Sequence, residues 1–102
     1  MKNEKLVTLC GSMRFWKEIE EAAERLELEK GYAVICPLRH VRKNVLSDRD
    51  KERLSELHRM KIDRSDAIFV VNVGGYVGES VRREIEYAVA LGKQVMYLMD
   101  DL

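Results

Sequence analysis

No apolar run in this sequence approaches the roughly 18 residues that cross a bilayer, so no membrane is expected as a partner. The chain has no net charge, because 18 Lys and Arg offset 18 Asp and Glu. Without a global field, a nucleic-acid polymer is not an expected partner either. The local basic clusters at Arg39 to Lys43 and at Arg82-Arg83 read as solvated faces. There are only two cysteines, Cys10 and Cys36, and they match no metal-ligand spacing. They read as small buried residues at strand ends, with a disulfide or metal pair as the alternative. Reduced thiols and a cytoplasmic setting are expected. The first residues, Met1 to Lys5, lead straight into a short apolar run, so no signal peptide is expected. Neither G-x-G-x-x-G nor G-x-x-x-x-G-K-[ST] occurs, which argues against the usual dinucleotide site and against a P-loop. No cofactor and no metal are expected.

What is present suits a globular chain: 46% hydrophobic and 35% charged residues. A length of 102 residues supports one domain, residues 1–102, with one modest core. "KLVTLC", Lys5 to Cys10, reads as a strand that stops at Gly11-Ser12. From Arg14 to Lys30 the apolar residues Phe15, Ile19, Ala22, Ala23 and Leu26 recur at helical spacing. Gly31 then ends the helix. "YAVICP" is a second strand, stopped by the single proline, Pro37. A polar loop from Leu38 to Asp48 leads to a helix over about Asp48–Arg64, with Leu54, Leu57, Lys61 and Ile62 near one stripe. "DAIFVVNV", Asp66 to Val73, has no alternation, so both faces should be buried, as in a parallel sheet. A glycine loop, a helix to Leu91, Gly92 and a last strand, "QVMYLM", complete a β-α-β-α-β-α-β order. That alternation predicts a parallel sheet of four strands with helices on both faces. So narrow a sheet predicts association through a helical face, as a homodimer.

Ligands of open parallel sheets bind beyond the carboxyl ends of the strands. Gly11 to Arg14, Pro37 to His40 and Asn72 to Ser80 fall there. Two of these segments are glycine-bearing loops that open into helices, whose free N–H groups suit a phosphate or carboxylate. Ser12 and Ser80 would add hydroxyls and Arg14 a charge, although both serines also read as plain N-caps. Glu84 falls beside Val81, Ala88 and Leu91, at the edge of a buried helical face. It reads either as an acid gaining from the helix dipole or as a nucleophile or base over a pocket. Glu79 is the second acid. His58 falls in the apolar stripe of its helix and reads first as a core histidine. Asp66 reads as a turn residue at the far end of the sheet. Trp16 reads as packing, whereas Tyr76, in a glycine loop, reads as a ligand or interface residue.

The segments "LCGSMRF", "RSDAIFVVN" and "ESVRREIEYAVALGKQVMYL" resemble the nucleoside 2-deoxyribosyltransferase superfamily, in register over nearly the whole chain. Within it the chain is similar to short bacterial and phage proteins related to the 5′-deoxynucleotide N-hydrolases. The resemblance implies a three-layer, Rossmann-like or flavodoxin-like α/β fold and cleavage of the N-glycosidic bond of nucleosides or their 5′-monophosphates. It implies Glu84 as the nucleophile on C1′. It implies Gly11, Ser12, Arg14, Gly78 and Ser80 as nucleotide-binding residues, and Tyr76 joins them as a candidate from its place in the glycine loop. Where some relatives carry a second acid, this sequence has His58, with Asp63 nearby. The interval before Glu84 is longer than in the hydrolases, so Glu79 is also a catalytic candidate. Only Met99 to Leu102 follow the last strand, where transferases draw on a further residue. The expectation is therefore a nucleotide N-glycosidase, with a deoxyribosyltransferase or a non-catalytic nucleotide-binding module as alternatives.

Overall fold

The computed structural model describes residues 5–38 and 46–99. The basic cluster at Arg39 to Lys43, His40 and the residues after Met99 lie outside the described residues. The strands are β1 (Leu6–Cys10), β2 (Ala33–Ile35), β3 (Ala67–Val70) and β4 (Gln94–Tyr97). The helices are α1 (Trp16–Lys30), α2 (Asp48–Arg64) and α3 (Glu79–Ala90). A short 3-10 turn, Met13–Phe15, precedes α1, and another, Val73–Gly75, follows β3. The four strands form one parallel sheet in the order β2-β1-β3-β4. This is the α/β architecture that the alternation of elements implied.

Alternation along the two central strands decides which helix packs on which face. Val7, Leu9, Ala67, Phe69 and Val71 point one way and meet Ile19, Ala22 and Leu26 of α1. Cys10, Ile68 and Val70 point the other way, with Ile62 of α2 and Val81 and Ala88 of α3. One face therefore carries α1, and the opposite face carries α2 and α3. β3 is buried along its whole length, which is why "AIFV" shows no polar alternation. Cys10 and Cys36 fall in opposite clusters, so the sheet separates them and both are free thiols.

Thr8 is a fully buried polar residue on the α2–α3 face. Its hydroxyl lies 2.6 Å from that of Ser65, which in turn donates to the Lys61 carbonyl at 2.8 Å. That chain of bonds ties the last turn of α2 to β1. The first turn is closed by a capping box. Asp50 N–H donates to Ser47 Oγ at 3.1 Å, and Ser47 N–H donates to Asp50 Oδ2 at 3.2 Å. The inward stripe of α2 is the expected one at His58 and Ile62 and differs at Leu57. Leu57 is 42% exposed, and His58 with Ile62 takes the buried position. The reason is angular: successive helical residues are turned by about 100°, so only one of two neighbours can face the sheet.

Asp66 accepts from the backbone N–H of Leu6 at 2.8 Å, joining β3 to β1 at the amino ends of the strands. At the carboxyl ends Asn72 does the matching work. Its amide donates to the Met99 carbonyl at 3.1 Å and accepts from the Met99 N–H at 3.0 Å. No helix among the described residues is long and apolar enough to cross a membrane.

Candidate active site

The chain runs outward from β1 to β2, then crosses back to place β3 and β4 on the other side of β1. Such a reversal opens a crevice where the loops after the two central strands diverge. Here those loops are Gly11 to Met13 after β1 and the segment from Val71 to Gly78 after β3. A cavity of about 490 Å³ lies between them and is walled on its third side by α2. Gly11, Ser12, Tyr76, Gly78, Glu79, Ser80, Glu84 and His58 all line it. The structure thus gathers eight of the ten site residues singled out from the sequence. Arg14 and Asp63 are not among the lining residues.

Each placement has a local cause. Gly74 and Gly75 take positive φ, 63° and 82°, which turns the chain sharply after β3 and lets it re-enter as α3. Gly78, not Ser80, is the N-cap of α3. Ser80 therefore sits in the first helical turn and lines the cavity. Ser12 caps the first 3-10 turn, accepting from the Arg14 N–H at 3.4 Å. Glu84 lies three residues after the buried Val81 and four before the buried Ala88, so it shares their face of α3. At that depth its side chain is 20% exposed, between the core and the cavity.

Glu84 does not stand alone there. His58 Nε2, on α2, lies 3.4 Å from Glu84 Oε1. The same nitrogen lies 3.4 Å from Cys10 Sγ, the last residue of β1. The three donor atoms are all within 4.8 Å of one another. Burial pushes the Cys10 thiol well above its ordinary range, and the adjacent Glu84 carboxylate pushes it further. Cys10 is accordingly a neutral thiol beneath the His58–Glu84 pair.

The remaining candidates fall around this floor. Glu79 is exposed at the rim and paired with Arg83 at 2.9 Å, one helical turn on. An exposed pair of this kind contributes about 0.3–0.5 kcal/mol. Tyr76 stands over the rim, its ring edge-on to Phe15 at 6.0 Å. The Arg14 guanidinium sits 4.6 Å from the centre of the Tyr76 ring, and Arg14 Nη2 donates to the Tyr76 hydroxyl at 3.5 Å. Arg14 therefore braces Tyr76. Asp63 lies at the far end of α2, where it accepts from the Tyr87 hydroxyl and its carbonyl accepts from Lys93 Nζ at 2.9 Å.

Sequence reasoning missed the contribution of α2 as a wall. Lys51, Leu54, Ser55, His58 and Lys61 line the cavity at helical spacing, and the two lysines bring positive charge. The signal was there, because residues 51, 55 and 58 recur with the same period as the apolar stripe. Cys10 was read first as a small buried residue, with a pairing to Cys36 through a disulfide or a metal as the alternative, and its meeting with His58 and Glu84 was not foreseen. A second recess of about 390 Å³ adjoins the first through Lys51, Ser55, Ser80 and Glu84, and adds Arg59 and Arg83.

No protein-family model matches the sequence. No curated protein matches it at a significant level. Among solved structures, the fold is similar to that of a 2-deoxyribosyltransferase from the psychrotolerant bacterium Bacillus psychrosaccharolyticus, described as a biocatalyst for nucleoside synthesis. The TM-score is 0.68, with 90% of this chain and 70% of that chain covered at 18% identity. At that identity the likeness shows the fold, and it is the fold that the sequence resemblance implied.

Proposed function

We propose that this protein is a glycosyl-handling enzyme that cleaves the N-glycosidic bond of a nucleoside 5′-monophosphate, with Glu84 as the nucleophile. The observation that carries the reading is the Glu84 carboxylate at the floor of a strand-end cavity, held by a largely buried histidine. The cavity volume falls within the about 300–1,000 Å³ usual for small-molecule sites. The similar fold of a 2-deoxyribosyltransferase supports the same class of chemistry.

In this reading the phosphate rests against the first turn of α3, with Ser80, Ser12 and the cavity lysines completing the anion site. Tyr76, braced by Arg14 and Phe15, offers a flat apolar surface at the rim on which a base can stack. A carboxylate oxygen of Glu84 attacks C1′ as the C1′–N bond breaks and its electron pair leaves with the base. The positive charge that develops on the sugar ring is stabilised by the carboxylate. His58 fixes the carboxylate's orientation. Glu79 is the second cavity carboxylate and the group proposed to serve the leaving base. Water then resolves the glycosyl ester, delivering its oxygen to C1′ and returning Glu84 as a carboxylate. If a second base takes the place of water, the same intermediate makes the enzyme a deoxyribosyltransferase. The fold comparison favours that second reading.

The experiment is to incubate the purified protein with nucleosides, ribonucleotides and deoxyribonucleotides and to measure released base by chromatography. Release from monophosphates alone is expected, and release from nucleosides alone would instead support the transferase. Adding a second base and looking for the exchanged nucleoside separates the two. Glu84→Gln should abolish release while keeping the melting temperature. A fully active Glu84→Gln would overturn the nucleophile assignment. Stabilisation by a nucleotide with no product would mark a binding module instead.

A further inference from the structure

At the floor of the cavity stand an imidazole nitrogen and a carboxylate oxygen, with a fully buried thiol directly beneath them. His58 Nε2 is 3.4 Å from both Cys10 Sγ and Glu84 Oε1, and the whole set lies within 4.8 Å. A tetrahedral zinc ion with ordinary bond lengths holds such donors about 3.3–3.6 Å apart; the two His58 pairs already meet that spacing, and the Cys10–Glu84 pair has to close from at most 4.8 Å. The three ligands come from the end of β1, the middle of α2 and the middle of α3. Those elements are packed on one face of the sheet, and the capping box and the Thr8–Ser65–Lys61 chain fix α2 there. The set is thus held by the core rather than by a loop. His58 and Glu84 both line the cavity, which gives an ion a route in and leaves a fourth position facing the open space.

We propose that Cys10, His58 and Glu84 form a binding site for a soft divalent ion of the zinc class, with its fourth position open to the cavity. Thiolate and imidazole ligands select zinc or cobalt over magnesium and calcium. On binding, the Cys10 thiol gives its proton to solvent and its electron pair to the metal. The thiolate and the Glu84 carboxylate then balance the two positive charges, and His58 binds as neutral imidazole. Occupancy also takes the carboxylate that the proposed glycosidase reaction uses, so the ion silences that reaction. This second consequence rests on the proposed function, whereas binding itself does not.

The test uses cobalt(II) as the probe, added to the full chain with a thiol-free reductant. One equivalent should produce a thiolate-to-cobalt charge-transfer band and the visible bands of a tetrahedral ion, and zinc should displace it. Outer-shell partners of metal sites cost about 10- to 100-fold in affinity when removed, so losing a ligand in Cys10→Ala or His58→Ala should cost at least about 100-fold. Cys36→Ala, on the other face of the sheet, should leave the spectrum unchanged. Glu84→Gln provides a ligand variant that spares the core should Cys10→Ala fail to fold, and it should weaken cobalt binding too. A spectrum without the charge-transfer band, or a band that survives Cys10→Ala or vanishes in Cys36→Ala, overturns the site. Where base release is observed, zinc should stop it and a chelator restore it. Zinc that binds at the site without slowing release overturns the silencing. Were no release seen from any substrate, the cobalt spectrum would still decide the site.

Discussion

Replacing Gly11 by alanine tests how tightly the loop after β1 is held against the core. A Cβ at Gly11 would lie 3.2 Å from Val71 Cβ, 3.3 Å from Ile19 Cδ1 and 3.4 Å from the Val71 carbonyl oxygen. Val71 and Ile19 are both essentially buried, so neither can swing into solvent to make room. Ile19 can change rotamer, but the two Val71 atoms move only with the backbone. Overpacking of this kind costs about 1–3 kcal/mol. Gly11 is not a positive-φ glycine, so alanine also removes unfolded-state freedom, a gain of about 0.4–1 kcal/mol. The middles of the two ranges leave a net loss of about 1.3 kcal/mol. For a chain of this size that is a fall in melting temperature of about 5–10 °C. Urea unfolding followed by circular dichroism should show a lower midpoint with an unchanged slope. Gly78→Ala is the matched control. Its Cβ would meet the Tyr76 hydroxyl at 3.2 Å, the far end of a partly exposed side chain rather than buried backbone, and the poorer helix cap that alanine makes is offset by its lower unfolded-state freedom. It should stay within about 0.5 kcal/mol of the parent. If Gly11→Ala is as stable as the parent, the loop yields freely and the close packing of β1, α1 and the segment after β3 is misjudged.

Three other outcomes are expected. Ser47→Ala removes half of the capping box on α2 and should cost about 1 kcal/mol in urea unfolding; no loss would show that the box contributes nothing. The Tyr87 hydroxyl donates to Asp63, and that bond first, with partial burial second, raises the phenol above its ordinary value. The neutral phenol is the stabilising form, so its contribution is full below the ordinary phenol pKa of about 10 and is lost as pH rises through the folded value. Melting temperatures of the parent and Tyr87→Phe should therefore differ at neutral pH and converge in alkali; a gap that widens there would contradict the sign. Burial raises both thiols, but Cys10 is fully buried and Cys36 only partly. Native-state alkylation followed by mass spectrometry should label Cys36 first, and equal rates would count against the placement of Cys10.

The order of elements and the parallel sheet were legible in the sequence because periodicity and glycine punctuation are local signals. "AIFV" between two helical patterns can be satisfied only by a strand covered on both faces, and the structure covers it so. The helix from Asp48 to Arg64 was legible too, from Leu54, Leu57, Lys61 and Ile62 falling near one stripe at helical spacing. Its inward face was legible in part: His58 and Ile62 turn inward as expected, and Leu57 does not. Leu57 is the more hydrophobic neighbour, yet His58 is turned inward, because rotation about the helix is set by the contacts of Ile62 and Ser65 with the sheet.

The site divides in the same way. Gly11, Ser12, Gly78 and Ser80 could be named from the sequence because each sits beside a strand end or a helix start, and the parallel topology sends those ends to one edge; Glu84, in the middle of α3, could be named from its place at the edge of the buried helical face and from the family resemblance. What only the tertiary structure decided is the meeting of Cys10, His58 and Glu84. Cys10 and His58 are 48 residues apart, and their contact depends on how α2 lies across β1. Strand and helix periods determine which way a side chain faces within its own element. Which other element waits there is decided by the packing of whole faces, and no local spacing in the chain records it.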